Sequence, residues 1–273
     1  MAIENRQLAM KISATIITFD EAENIRAACE SVAWADEILV IDSESTDATR
    51  EIAAECGARV IVNAWPGFAA QKQFGVDAAN HDWIFSLDAD ERVSPELLDS
   101  IKRLPDIDES QLADGYRVAR RAFYMGRWIR GGGWYPDFQL RLFNRRRGGW
   151  SDRLIHESVT MNAGARVETL KGELLHYSMR DSAHHQRMIE ERYAPLGARQ
   201  MLRDGKRTTR VRISVAGPLA FLRSFVLKGG WRDGGAGFAI AKFAARHAAL
   251  KHSILYDLQN RETRSFGPRD HGV

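Results

Sequence analysis

The sequence predicts an α/β protein: a mostly parallel sheet flanked by helices, followed by a helical C-terminal extension. Three observations predict it. β-branched apolar runs alternate with segments of helical period over the first hundred residues, acidic residues gather where those runs end, and the pattern turns helical beyond residue 180. Strands that alternate with short helices form a parallel sheet covered on both faces.

The elements come in this order. "KISATIIT" (11–18) is a strand, and "EAENIRAACESV" (21–32) puts Ile25, Ala28, Cys29 and Val32 at helical spacing. "DEILVIDS" (36–43) reads as a second strand, "DATREIAAECG" (47–57) as a helix closed by Gly57, and "ARVIVNA" (58–64) as a third strand. "GFAAQKQFGVDAA" (67–79) is a further helix and "HDWIFSLDAD" (81–90) a fourth strand. Ser94-Pro95-Glu96 opens the next helix, with proline in its first turn. The segment 115–160 mixes strands, "RLFNRR" (141–146) among them, with many arginines. "RGGGWYPD" (130–137) reads as a flexible loop or a plain hairpin connection. The expected division is a catalytic domain over 1–180, with its halves at about 11–100 and 101–180, and a helical region over 181–273.

Composition narrows the class. At 273 residues, 44% hydrophobic and 27% charged, the chain can bury one large core or a core with an appendage. A net charge of +3, with no helix-turn-helix, zinc-finger or RNA-binding signature, argues against nucleic acid as a partner. Cys29 and Cys56 lack CxxC spacing and read as ordinary thiols of a reducing compartment. No stretch reaches the roughly 18 uninterrupted apolar residues of a spanning helix, so a cytoplasmic location is expected.

In a parallel sheet the ligand sits beyond the carboxyl ends of the strands. Thr18, Asp20 and Glu21 lie after the first strand; Asp42, Ser43, Ser45 and Asp47 after the second; Asp88, Asp90 and Glu91 after the fourth. Thr46 and Asp47 fit a helix-capping role, whereas Asp42 stands before the cap, where a carboxylate can accept hydrogen bonds from a ribose or a base edge. Carboxylates a few ångströms apart raise each other's pKa unless a cation lies between them. A hard divalent ion bound by one or two carboxylates, water and substrate phosphates is such a cation, so Asp-x-Asp at a strand end suits a metal–diphosphate. Glu91 is expected only to cap the segment after it.

These residues carry a resemblance. "IITFDEAENI" (16–25), "VIDSESTDAT" (40–49) and "FSLDADE" (85–91) resemble the nucleotide-binding motifs of the family 2 glycosyltransferases, which have the GT-A fold. "QKQFGVDAANHDWIFSLDADERVSPEL" (71–97), "RLFNRRRGGWSDRLIHESV" (141–159) and "LLHYS" (174–178) resemble the bacterial lipopolysaccharide-core β-1,4-glucosyltransferase group. Asp20 stands where asparagine is commoner, and "DSES" where "DDGS" is commoner. The resemblance implies an inverting, Mg2+- or Mn2+-dependent transfer from a nucleotide sugar, first a UDP-sugar, to an anionic glycan or glycolipid. A polyprenyl-phosphate sugar transferase and a non-catalytic sugar-nucleotide-binding protein are the alternatives. It further implies that Thr18, Asp20 or Glu21, and Asp42 bind the nucleoside, that Lys72 lies near the base or diphosphate, that Asp88 touches the ribose or metal, and that Asp90 ligates the metal. By the same resemblance, the base that removes the acceptor proton is expected to be Glu157, beside His156, or else Asp137. His176 is within the reach of such a site or is structural. The arginines of 115–150, interleaved with aromatics, suit an anionic sugar acceptor.

Beyond residue 180, His184 and His185 lack the i, i+4 spacing of a helical metal pair and read as surface residues. Apolar runs over 211–258, coupled to Arg, Lys and His and interrupted at Gly217-Pro218 and Gly229-Gly230, are expected to lie on the inner membrane surface or to pack as a helical lid. "ETRSFGPRDHGV" (262–273) reads as a loose tail.

Overall fold

The structure is a computed structural model that describes residues 10–108, 110–151, 158–177 and 182–265. The first part alternates as expected: β1 (Ile12–Thr18), α1 (Ile25–Ser31), β2 (Glu37–Asp42), α2 (Thr49–Glu55), β3 (Arg59–Val62), α3 (Phe68–Ala78) and β4 (Trp83–Asp88). Then come β5 (Glu91–Val93), α4 (Pro95–Lys102), β6 (Gly115–Tyr124), β7 (Arg127–Trp128), β8 (Asp137–Asn144), β9 (Gly148–Trp150), β10 (Val159–Met161) and β11 (Val167–His176). The remainder is helical: α5 (Ser182–Arg187), α6 (Ala194–Arg203), α7 (Arg210–Leu222) and α8 (Gly234–Ser265). The chain divides into two units, residues 10–122 with 137–177, and residues 123–136 with 182–265.

In the first unit the strand order is β3-β2-β1-β4-β8-β6-β11-β5. β3, β2, β1 and β4 are parallel neighbours, β8 runs antiparallel between β4 and β6, and β11 is parallel to β6. β1 is buried at every position because helices cover both faces of the sheet. Its period of two divides the core. Ile12, Ala14 and Ile16, with Val40, Phe85 and Leu87, pack on Ile25, Cys29, Leu97 and Ile101, while Ile17, Leu39, Ile41 and Ile84 pack on Val76 of α3 and on Ala79 just after it. Burial pushes the Cys29 thiol up to about 12, so it stays protonated and unreactive. Gly57 closes α2 at φ +81°, and Ser94 caps α4 by accepting a hydrogen bond from the Leu97 N–H at 3.3 Å.

Gly172 shows how closely β11 meets α4. Its φ is +90°, and a Cβ there would lie 2.2 Å from the Leu97 nitrogen. Gly172→Ala is expected to destabilise the protein by about 1–3 kcal/mol through overpacking against backbone, read as a lower urea midpoint at unchanged slope.

The second unit corrects four expectations. The glycine-rich segment is pinned rather than loose. The buried Asp233 carboxylate accepts hydrogen bonds from the N–H groups of Arg130 and Gly131, at 3.1 and 2.8 Å. Ser224 Oγ donates to the Gly132 carbonyl at 2.9 Å, and a Cβ on Gly131 would lie 2.4 Å from the Gly229 carbonyl oxygen. The glycines serve close backbone packing here, not flexibility. His185 is buried against Tyr124, Trp134 and Phe243 instead of lying on the surface, because α5 turns that side of the helix into an aromatic cluster. α7 also runs unbroken through Gly217-Pro218, and α8 extends to Ser265, into the segment expected to be a tail.

Candidate active site

Strand order fixes where ligands can bind. From β1 the sheet grows in one direction through β2 and β3 and in the other through β4, so the crevice opens beyond the carboxyl ends of β1 and β4. Thr18 is in register with Asp42, and Ile17 with Asp88. The three acidic clusters therefore share one edge, as their sequence positions predict.

The loops after β1 and β2 are stitched together by side chains. The Asp42 carboxylate is fully buried; Oδ1 accepts from the Ser45 N–H at 2.9 Å, and Oδ2 accepts from the Ser45 hydroxyl. Ser45 Oγ in turn accepts from the Asp20 N–H at 2.9 Å, and Asp20 Oδ1 accepts from the Thr46 N–H at 2.7 Å. The Glu21 N–H donates to Thr49 Oγ1 at 2.8 Å, and Glu21 Oε2 accepts from Asn24 Nδ2 at 2.7 Å. Asp47 accepts from the N–H groups of Ala22 and Thr49; it stands one residue before the N-cap of α2, Ala48, so it ties the loops together rather than capping the helix as expected. Asp20 and Glu44 both hold left-handed backbone, at φ 50° and 65°. Such strain persists where the surroundings over-determine it. Glu44 stands where the commoner motif has glycine, and Glu44→Gly is expected to stabilise the protein by about 1 kcal/mol, measured by thermal unfolding. The buried hydroxyl of Thr18 has no hydrogen-bond partner among the described residues.

At the end of β4 the charges are ordered into a chain. Asp88 Oδ1 lies 2.9 Å from Lys72 Nζ, and Oδ2 lies 3.3 Å from Arg141 Nη2. Arg141 Nη2 also meets Glu91 Oε1 at 2.6 Å, and Arg120 Nη1 meets the same oxygen at 3.2 Å. Arg120 then pairs with Asp137 Oδ2 at 2.7 Å. Burial pushes the Asp88 carboxyl up, but Lys72 and then Arg141 outweigh it and hold it well below the usual carboxylate range. Burial works against the charge on Arg141 as well, and the adjacent Glu91 and Asp88 carboxylates overcome it and raise its pKa. Lys72 Nζ also stands 4.7 Å from the centre of the Trp150 ring, a cation–π contact.

Glu91 is thus no simple cap. Its side chain is fully buried, and Oε2 accepts from the Asp88 N–H at 3.0 Å, which fixes the Asp-Ala-Asp turn from within. Arg141 was legible as a signal, because an arginine flanked by Leu140, Leu142 and Phe143 in a buried strand requires a carboxylate partner.

Asp90 and His176 come from opposite sides of the turn. His176 on β11 pairs with Glu91 on β5, which brings its Nε2 to 3.4 Å from Asp90 Oδ2, and the Tyr177 N–H donates to the Asp90 carbonyl at 2.9 Å. Among the described residues no group of three or more His, Cys, Asp or Glu is placed to hold a metal ion. Asp137 joins the cluster with both oxygens engaged, Oδ2 by Arg120 and Oδ1 by Gln139 Nε2 at 2.7 Å. Glu157 and His156 lie outside the described residues.

Many of the arginines expected to face an acceptor are committed elsewhere. Arg121 pairs with Glu173, Arg145 and Arg146 with Asp82, and Arg147 with Asp114. Carboxylates from β11 and from the turns before β4 and β6 pair with a cationic run that looks free in sequence.

The chain is similar to known proteins. The lipopolysaccharide core biosynthesis glycosyltransferase LpsC of Rhizobium meliloti is 30% identical, over 90% of this chain and 92% of its own length. An uncharacterized glycosyltransferase of Rickettsia bellii is 32% identical, over 94% of this chain and 91% of its own. Among solved structures, glucosyl-3-phosphoglycerate synthase from Mycobacterium tuberculosis, in complex with Mn2+, UDP and glucosyl-3-phosphoglycerate, is 23% identical with a TM-score of 0.34, covering 43% of this chain and 45% of that one. The family model for glycosyl transferase family 2 matches residues 13–172, a span that holds the whole acidic edge and the Asp88 cluster. A family model that covers more than half of the chain, with a relative 30% identical over nine-tenths of it, shows that the chain belongs to glycosyl transferase family 2.

Proposed function

We propose that the chain transfers a sugar from a nucleoside-diphosphate sugar, first a UDP-sugar, to an anionic glycan or glycolipid of the cell envelope, with inversion at the anomeric carbon. The observation that carries this is the acidic edge at the switch point, with Lys72 and Arg141 fixing Asp88 and with Asp90 beside His176. The lipopolysaccharide core is the first acceptor to test, which the name of the Rhizobium relative supports. We place the reaction in the cytoplasm, at the inner face of the membrane.

Thr18, Asp20, Glu21 and Asp42 bind the nucleoside in this reading, with the unpartnered Thr18 hydroxyl free to meet it. Lys72 approaches the diphosphate. Asp88, Asp90, Glu91 and Asp137 set four carboxylates against three cations, Lys72, Arg120 and Arg141, so the cluster already carries surplus negative charge. A diphosphate adds more, and a divalent cation is what allows both to share the site. Asp90 and His176 fit as its protein donors, with Asp88 as the alternative carboxylate, and diphosphate and water completing the shell. Bound there, Mg2+ or Mn2+ supplies neutralisation of charge on the departing nucleoside diphosphate.

Proton transfer falls to Glu157 or Asp137. Because both Asp137 oxygens already accept hydrogen bonds, we assign removal of the acceptor proton to Glu157 and give Asp137 the task of holding Arg120 against Glu91.

Calorimetric titration of nucleotide sugars, with and without Mn2+ or Mg2+, tests the reading on wild type and Asp90→Asn. Metal-dependent binding of one nucleotide sugar by wild type, lost in the variant, is the expected result. Absence of binding to every sugar nucleotide by a folded chain would overturn it.

A further inference from the structure

The outer face of α7 carries an apolar stripe. Val211, Val215, Leu219 and Leu222 of α7 have the spacing i, i+4, i+8 and i+11, which keeps them in one line on a helix of 3.6 residues per turn, and Val226 follows in the π-helical turn Arg223–Leu227. All five are between 42% and 73% exposed, although α7 already has a partner on its other side. There Gly217 is buried against Ala245 and Ala249 of α8, and Ser224 is buried a further two turns on. The stripe is therefore a second apolar face, opposite the one used for packing. Just beyond the helix, Leu227 and Trp231 are 76% and 57% exposed. A contiguous apolar surface of this kind marks an interaction site.

Charge decides between occupants. Residues 205–232 contain seven lysines and arginines and no aspartate or glutamate. Arg212 and Arg223 are exposed and adjoin the stripe in sequence at both ends. A second copy of the same face, brought up by two-fold symmetry, would set these cations against their own equivalents. An anionic bilayer complements them, and its headgroup boundary accepts apolar side chains, tryptophan and arginine together. Among the described residues no helix is long and apolar enough to cross a membrane. α7 has the character of a helix that lies in the interface plane.

We propose that the outer face of α7 docks flat on an anionic lipid surface, with the stripe in the acyl boundary and Arg212 and Arg223 on lipid phosphates. This deepens the location given above but rests on the helix face alone, independent of donor and acceptor. α8, part of the segment expected either to lie on the membrane or to pack as a lid, is used for packing: Lys251 is half-buried, and Arg246 pairs with Glu190.

Co-sedimentation of the full chain tests it, with vesicles of phosphatidylcholine alone and of phosphatidylcholine with phosphatidylglycerol in equal parts. Wild type is expected to bind the anionic vesicles selectively and to release with added salt. Val215→Glu combined with Leu219→Glu, and separately Arg212→Gln combined with Arg223→Gln, are each expected to weaken that binding roughly tenfold or more, with thermal unfolding and nucleotide-sugar binding unchanged. Equal binding to both vesicle types, no binding to either, or variants that bind as tightly as wild type would each overturn the proposal. So would a concentration-dependent dimer, seen by sedimentation velocity and lost in the glutamate variant, since the stripe would then be a protein interface. A chain that binds vesicles but no nucleotide sugar would sink the donor reading and leave this one standing.

Discussion

Glu91→Ala is expected to destabilise the protein by about 3–5 kcal/mol, because it leaves Arg141, 2% exposed, and Arg120 facing each other without their shared carboxylate. The Asp88 N–H also loses its acceptor. Against a total stability of about 5–15 kcal/mol this is a large fraction, so urea unfolding should show it plainly. Glu91→Gln should cost less, since an amide oxygen can still accept from one guanidinium. An alanine variant within about 1 kcal/mol of wild type would mean that Arg141 finds another partner and that the charge chain is not what orders the turn.

Asp90→Asn is expected to lower turnover of the nucleotide-sugar donor by roughly 10²–10³-fold, the scale on which loss of one preorganised electrostatic group is felt in a transition state. Nucleotide release at saturating acceptor is the measurement. The fold should change little, because the Tyr177 N–H bonds the Asp90 backbone carbonyl and the side-chain contact with His176, at 3.4 Å, is one that an amide can keep. Full turnover in this variant would remove Asp90 from the chemistry.

Asp88 should behave in the opposite way. Its folded pKa is depressed by Lys72 and Arg141, so in acid the unfolded chain binds more protons than the folded one, and stability rises with pH. The contribution is complete above the ordinary carboxylate range near pH 4 and is lost as pH falls below it toward the folded value. Asp88→Asn should flatten this acid limb of a stability-versus-pH curve. An unchanged limb in Asp88→Asn would assign the acid sensitivity to another carboxylate.

The sequence determined much of the first unit. Hydrophobic period and caps are local properties, so the alternation through β4, the Gly57 closure and the Ser94 cap could be read directly, and the topological rule then placed Thr18, Asp42 and Asp88 on one edge. Tertiary structure alone decided the pairing. Nothing local joins Arg141 to Glu91, 50 residues away, or Asp233 to the Gly131 N–H, 102 residues away. A buried charge announces that it needs a partner, through the cost of leaving water, but not which partner it has. The same reason explains why the arginine-rich segment looked like free acceptor-binding charge, and why the flexibility read from Gly131, Gly132 and Gly133 proved to be close packing around Asp233. Local chemistry wrote the edge, and long-range pairing of buried charges set which of its groups are held and which are left to act.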